Sequence, residues 1–224
     1  RLIQVANSAA YAGIARIESC RDAVTKLGFS ATRELVTSIV LKQLFSTESP
    51  VLKRAMADLW HHSTAVAAIS FHLAKELPGF SPDRALLAGL VHDIGALPLI
   101  GAAQTYGYGD MSTEALKRCI DSLRGQLGAM VLRRWEFPDD MVTVALESED
   151  WHRDDEPIAD YCDLVMVAQI FSIFGKPEFS KFPQVCTLPA FARLTKGKLS
   201  VDDTIEILKD AQSDIENLQK VLSA

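Results

Sequence analysis

The stretch LLAGLVHDIGALPLIG, residues 86–101, sets one polar pair, His92-Asp93, inside an otherwise apolar run. A helix drawn through it carries apolar residues around most of its circumference and so must lie largely inside a domain. A carboxylate buried there requires a partner, a proton or a metal ion. The elements on either side of the run decide which of these the chain can supply.

The run belongs to the best-signalled helix start in the chain. SPDRALLAGLVHDIGALPLI opens with Ser81 as cap, Pro82 at the first position and Asp83 in the first turn, where a carboxylate complements the helix dipole. Just upstream, Pro50 to Leu77 reads as one long helix, begun by a first-turn proline and ended by Pro78-Gly79. Before it, SCRDAVTKLG carries a cap at Ser19 and a stop at Gly28, and a second helix starts again at Ser30. Helical periodicity returns from Ser112 to about Trp135, from Pro138 to about Glu149, from about Pro157 to Phe174, and from Ser200 to near the end. The proline-rich stretch from Gly175 to Lys198 predicts an ordered loop with one short helix. Strand signals are almost absent, so the fold class expected is all-α, a compact multi-helix domain. The chain opens on Arg1 inside an apolar-periodic segment, which predicts that an N-terminal piece of the full protein precedes it.

Composition narrows the setting. At 224 residues and 48% hydrophobic, the chain can fill one substantial core or two closely packed subdomains. A net charge of −6 without a Lys/Arg run argues against nucleic acid or an anionic membrane surface as a partner. No apolar segment reads as an uninterrupted membrane span, and there is no signal-peptide pattern. The cysteines, Cys20, Cys119, Cys162 and Cys186, are scattered without metal-ligand spacing and read as reduced thiols, which places the chain in a cytoplasm.

Adjacent His-Asp can offer two metal ligands from one helix turn, and a third must come from a facing helix. LWHHST supplies His61 and His62 about thirty positions upstream, on the preceding helix, and consecutive helices tend to be neighbours. On spacing alone the plainer reading is favoured, in which Asp93 accepts hydrogen bonds from His62 or backbone groups and no metal is involved.

Three blocks in this order, NSAAYAGIARIESCRDAVTKLG, LWHHSTAVAAISFHLA and ALLAGLVHDIGALPL, resemble the HDOD family, a branch of the HD-domain superfamily. The resemblance runs from the N-terminus to about Phe174. It implies an all-helical fold and a place among bacterial signalling and regulatory proteins, in which many members have no known catalytic activity while relatives with full metal sites are phosphohydrolases. The domain expected is one HDOD-like unit over residues 1–224, with 1–48 as an N-terminal helical part and 49–224 as an HD-like helical part.

The superfamily's metal ligands are a His, the His-Asp pair and an Asp on a later helix. The resemblance carries these onto His62, His92 and Asp93, and puts the closing Asp near Gln169, where this chain has a neutral amide, a poorer ligand for a transition metal. Many relatives carry a His-His pair where Glu149-Asp150 stand here. These acidic residues, and His152 beside them, are candidate replacement ligands, but two acids at a helix end more often form a solvated surface. Loss of a ligand carboxylate cuts metal affinity, so the site is expected to be a relict, metal-free or weakly occupied. No cofactor is expected, a divalent metal being the one candidate. Trp60, Trp135 and Trp151 read as packing residues, Asn7 and Ser8 as a helix-ending hydrogen-bond device, and GYGD at 107–110 as a mobile loop without phosphate-loop features. Two functions are open to such a chain: a non-catalytic signalling module that binds a protein partner or small ligand and reports through helix packing, or a metal-dependent phosphohydrolase acting on a nucleotide or cyclic dinucleotide.

Overall fold

A computed structural model describes residues 2–8, 11, 17–47, 49–105, 113–154, 157–196, 200–210 and 212–223. Among them there are eleven α-helices and no strand. The GYGD segment lies outside the described residues.

The N-terminal part holds α1 (Leu2–Ala6) and α2 (Cys20–Leu41). Asn7 ends α1 with its side chain, the amide nitrogen donating to the Ile17 carbonyl at 2.7 Å while its oxygen accepts from the Ile17 N–H at 2.8 Å. It thus splices the two ends of the α1–α2 connection, the helix-ending role the sequence predicts. Ser19 caps α2 in a reciprocal box with Asp22. Gly28 breaks α2 in its middle, at φ +82°, where the sequence places a stop before the restart at Ser30.

The centre of the molecule is α3 (Pro50–Glu76) packed along α4 (Pro82–Val91). The two backbones touch where Gly89 faces Ala67. A Cβ on Gly89 would sit 2.5 Å from the Ala67 Cα, so only glycine permits this approach. Ser81 caps α4 as expected, accepting from the Arg84 N–H.

The single helix predicted through residues 82–101 is a correction. It stops at Val91, turns over residues 92–95, and resumes as α5 (Ala96–Thr105). Bonds from the Ile94 N–H to the Val91 carbonyl and from the Ala96 N–H to the Asp93 carbonyl, both 3.0 Å, tighten the chain there. Pro98, in the first turn of α5, cannot bond the Ile94 carbonyl and so cannot continue the helix. Gly95 lets α6 (Thr113–Arg134) lie against the turn, since a Cβ there would overlap the Arg124 carbonyl and the Gly128 N–H. Pro82–Ala103 is long and apolar enough to cross a bilayer by length and composition, although charge interrupts it at Asp83, Arg84 and Asp93. In the fold it is broken at this turn, and 72% of its apolar window is buried inside the protein.

α7 (Asp139–Glu147) packs on α6, and α8 (Tyr161–Ser172) lies against α3. The start of α8 is set by Asp160, whose capping box with Asp163 moves it inward from the predicted Pro157. The stretch 175–198 contains the one short helix expected, α9 (Pro189–Thr195), and two 3-10 turns, Pro177–Lys181 and Val185–Thr187. The predicted last helix is two, α10 (Val201–Asp210) and α11 (Gln212–Ser223). One cluster of buried apolar side chains runs from Val5 and Leu35 through Leu86, Leu90, Met141 and Met166 to Leu218 and Leu222.

Candidate metal centre

His62 sits on the inward face of α3, while its neighbour His61 is exposed. Facing it are His92, just past the end of α4, and Asp93 in the turn. The Ala67–Gly89 contact one or two turns away sets how close the two elements come, and the turn held open by Gly95 aims the pair inward.

His92 and Asp93 are almost completely buried, and the His62 side chain keeps about a third of its exposure. The two Nε2 atoms lie 3.1 Å apart. Asp93 Oδ2 is 3.5 Å from His92 Nε2 and 3.7 Å from His62 Nε2. His92 Nδ1 lies 2.7 Å from the Gly89 carbonyl, which can only accept, so Nδ1 carries the proton and Nε2 points a lone pair at the centre. With the His92 proton on Nδ1, the 3.1 Å Nε2–Nε2 contact is a hydrogen bond in which His62 is the donor.

The charges are arranged to keep this state. Burial, then the neighbouring His92, Arg124 and Lys176, push the His62 imidazole down to about 4 against the opposing pull of Asp93. For Asp93 burial works upward, but His92, Arg124 and His62 outweigh it and hold the carboxyl below its usual range.

Three donor atoms of ligand type, two imidazole nitrogens and one carboxylate oxygen, therefore converge on one point. Donors bound to one ion at roughly 2.0–2.2 Å lie about 3–3.5 Å from each other, so these residues fit a single divalent ion with three protein ligands. Such an ion would supply Lewis acidity and neutralise phosphoryl charge.

Asp93 has a further neighbour that no spacing in the sequence suggests. Arg124, on α6, places Nη1 3.4 Å from Asp93 Oδ1. Its Nη2 is in direct contact with Glu149 Oε1. These residues, with His92, Ser148, Asp121, Ser122 and Gln126, line a cleft of about 220 Å³. The one signal was the paired small residues of SLRGQLG, where Gly125 and Gly128 let α6 close on the His-Asp turn and on α7.

A family model for the HDOD domain matches residues 1–151. The chain belongs to the HDOD domain family. The match ends at Trp151, short of the Phe174 to which the resemblance in the sequence extends. Crystal structures show the same HDOD fold. A Shewanella amazonensis SB2B protein, provisionally named a metal-dependent phosphohydrolase, superposes with a TM-score of 0.82 at 24% identity, over 99% of this chain and 79% of its own. An HDOD domain protein of unknown function from Geobacter sulfurreducens gives 0.68 at 20%, over 99% and 79%. A second S. amazonensis SB2B protein, provisionally named a phosphohydrolase, gives 0.65 at 22%, over 99% and 81%. No curated protein matches the sequence.

The remaining candidates of this HDOD chain separate. Gln169 is buried on α8 and donates from Nε2 to the Ser148 carbonyl at 2.8 Å, tying α8 to the end of α7. Glu149 faces the cleft through Arg124, whereas Asp150 and His152 are exposed. Trp60 is buried against Phe45 at 4.8 Å, Trp151 packs on Phe182, Trp135 is partly exposed, and none of the three lines the cleft. All four cysteines are free, with Cys162 buried.

Proposed function

We propose that the protein is a non-catalytic regulatory HDOD module whose HD site is a remnant, and that it works in signalling by binding a protein partner or small ligand and transmitting the event through helix packing. The observation that carries this reading is the state of residue 169. Where the superfamily's closing carboxylate is expected, a buried glutamine spends its amide on the Ser148 carbonyl. Three ligands then remain, and the loss of a ligand carboxylate weakens both the hold on a metal ion and the orientation of the water that hydrolysis would need.

A second reading is favoured by the convergence of His62, His92 and Asp93 and by the provisional names of two structural neighbours: a metal-dependent phosphohydrolase acting on a nucleotide or cyclic dinucleotide. Turnover assays with cyclic dinucleotides and simple phosphodiesters, with manganese, iron or magnesium added, separate the two. The expected result is no hydrolysis. Turnover by the wild-type chain that disappears in both His92→Ala and Asp93→Ala overturns the regulatory reading.

A further inference from the structure

Asp93 is used from both sides. Oδ2 faces the two imidazoles at 3.5 and 3.7 Å, and Oδ1 faces the Arg124 guanidinium at 3.4 Å. The same guanidinium contacts Glu149, so it bridges two carboxylates at the wall of the cleft. It is held there by the backbone. Gly95 lies under the Arg124 carbonyl, and a Cβ on Gly125 would sit 2.8 Å from the Leu146 carbonyl on the other side, so α6 is wedged between the turn carrying Asp93 and the helix ending just before Glu149. With 17% of its side chain exposed, Arg124 is a largely enclosed charge, and a guanidinium cannot shed its proton.

We infer that Arg124 is a built-in counter-cation of this site: it stands between Asp93 and Glu149, beside the donors, and it keeps the affinity of the His62–His92–Asp93 donors for a divalent ion low. The inference rests on reading those residues as the remnant of a metal centre. A fixed positive charge touching a ligand carboxylate repels an arriving cation and withdraws one of the oxygens it would use. Replacing the guanidinium by a neutral group leaves Asp93 and Glu149 facing the same cleft uncompensated. A divalent ion then meets no like charge and gains an additional acidic neighbour. The ligand class is a divalent first-row cation, for which imidazole and carboxylate together are suitable donors.

The test is equilibrium binding of manganese(II) alone to the full chain, by calorimetry and by spin resonance of the free ion. Arg124→Gln is expected to bind manganese about tenfold or more tightly than wild type, the scale on which neighbours of metal ligands act. Arg124→Lys, which keeps the charge, is expected to stay near wild type. Adding Glu149→Gln to Arg124→Gln removes much of the gain, and adding His92→Ala removes the binding. Arg124→Met, which keeps the aliphatic stem packed, gives the same reading should the glutamine variant not fold, and circular dichroism and a melting curve establish which variant is compared. A folded neutral variant that binds no more tightly than wild type overturns the inference, as does tight binding that survives His92→Ala. Equal gains in the lysine and glutamine variants also overturn it, since charge would then not be the cause. Turnover by the wild-type chain would instead sink the regulatory reading while leaving this order of affinities intact.

Discussion

At the scale of single residues, Asp93 has the Arg124 guanidinium 3.4 Å from one oxygen and two imidazoles 3.5 and 3.7 Å from the other, so its removal should be felt although it is one short side chain. Asp93→Ala leaves Arg124 with Glu149 alone and both imidazoles without their acid, at a cost of roughly 1–3 kcal/mol. The melting temperature should fall by several degrees for a chain of this size, and an unchanged value would show that the carboxylate does not support the fold. His72, also on α3, gives a second test. It is buried, its Nε2 finds no hydrogen-bond partner among the described residues, and burial, then Lys75, lower its pKa against the opposing pull of Asp214. The folded protein therefore holds this proton less tightly than the unfolded chain, whose histidine titrates near about 6.5. His72's contribution is intact above that pH and is lost as pH falls below it. Replacing it with Leu should flatten the stability profile between pH 7 and 5 in urea titrations, and a slope equal to wild type would rule His72 out as a contributor. His62, His92 and Asp93 were legible in the sequence because two are adjacent and the third lies on the preceding helix. Arg124 was not, since one arginine on a polar helix face carries no local mark of the carboxylates it will meet.

Among the elements, the caps were legible wherever one residue fixes the geometry: Ser19, Gly28 and Ser81 act in the fold as they read in the chain. The break at residues 92–95 was missed because the apolar run continues through it, although Gly95 and Pro98 mark it locally. Pro98 has no N–H to offer the Ile94 carbonyl and sits in the first turn of α5. Gly95 records the backbone of α6. A methyl group there overlaps the Arg124 carbonyl, so Gly95→Ala must push α6 off the turn, an overpacking change that costs on the order of 1–3 kcal/mol. Gly101→Ala in α5 is the matched control, since a Cβ there meets no atom of the described residues within 4 Å. The control should be neutral or stabilising by about 0.5–1 kcal/mol from helix propensity. Denaturant midpoints for the two variants read the difference directly, and equal midpoints would mean that the close approach of α6 does not constrain the turn.

For the molecule as a whole, the segment beyond the HDOD match is fastened by buried charge as well as by apolar packing. Asp163, fully buried at the start of α8, receives Arg153 Nη1 at 3.0 Å, Arg193 Nε at 2.9 Å and Arg193 Nη2 at 2.7 Å. Arg193 lies on α9, and its Nη2 also donates to the Arg153 carbonyl, so one arginine pins α9 to the start of α8 and the segment before it. No local pattern in the chain signals this clamp, because the partners are 10 and 30 positions apart and each is an ordinary charged residue of its own segment. Asp163→Ala leaves two mostly buried guanidinium groups short of their shared acceptor, and breaking a buried pair from one side costs about 3–5 kcal/mol. Arg153 keeps Asp160 and Glu147, whereas Arg193 keeps the Arg153 carbonyl and, as its remaining carboxylate among the described residues, Asp154, which is 75% exposed and holds it weakly. The loss should therefore concentrate on α9 and the chain around it. Limited proteolysis of Asp163→Ala and of Arg193→Ala should cut first between about residues 175 and 199, leaving an N-terminal fragment that still contains the His62–His92–Asp93 cluster. Arg193→Met in the Asp163→Leu background should recover part of the lost stability, since an apolar pair needs no acceptor. Cleavage distributed evenly along the chain in the single variants would show instead that the clamp supports the whole core rather than its C-terminal edge.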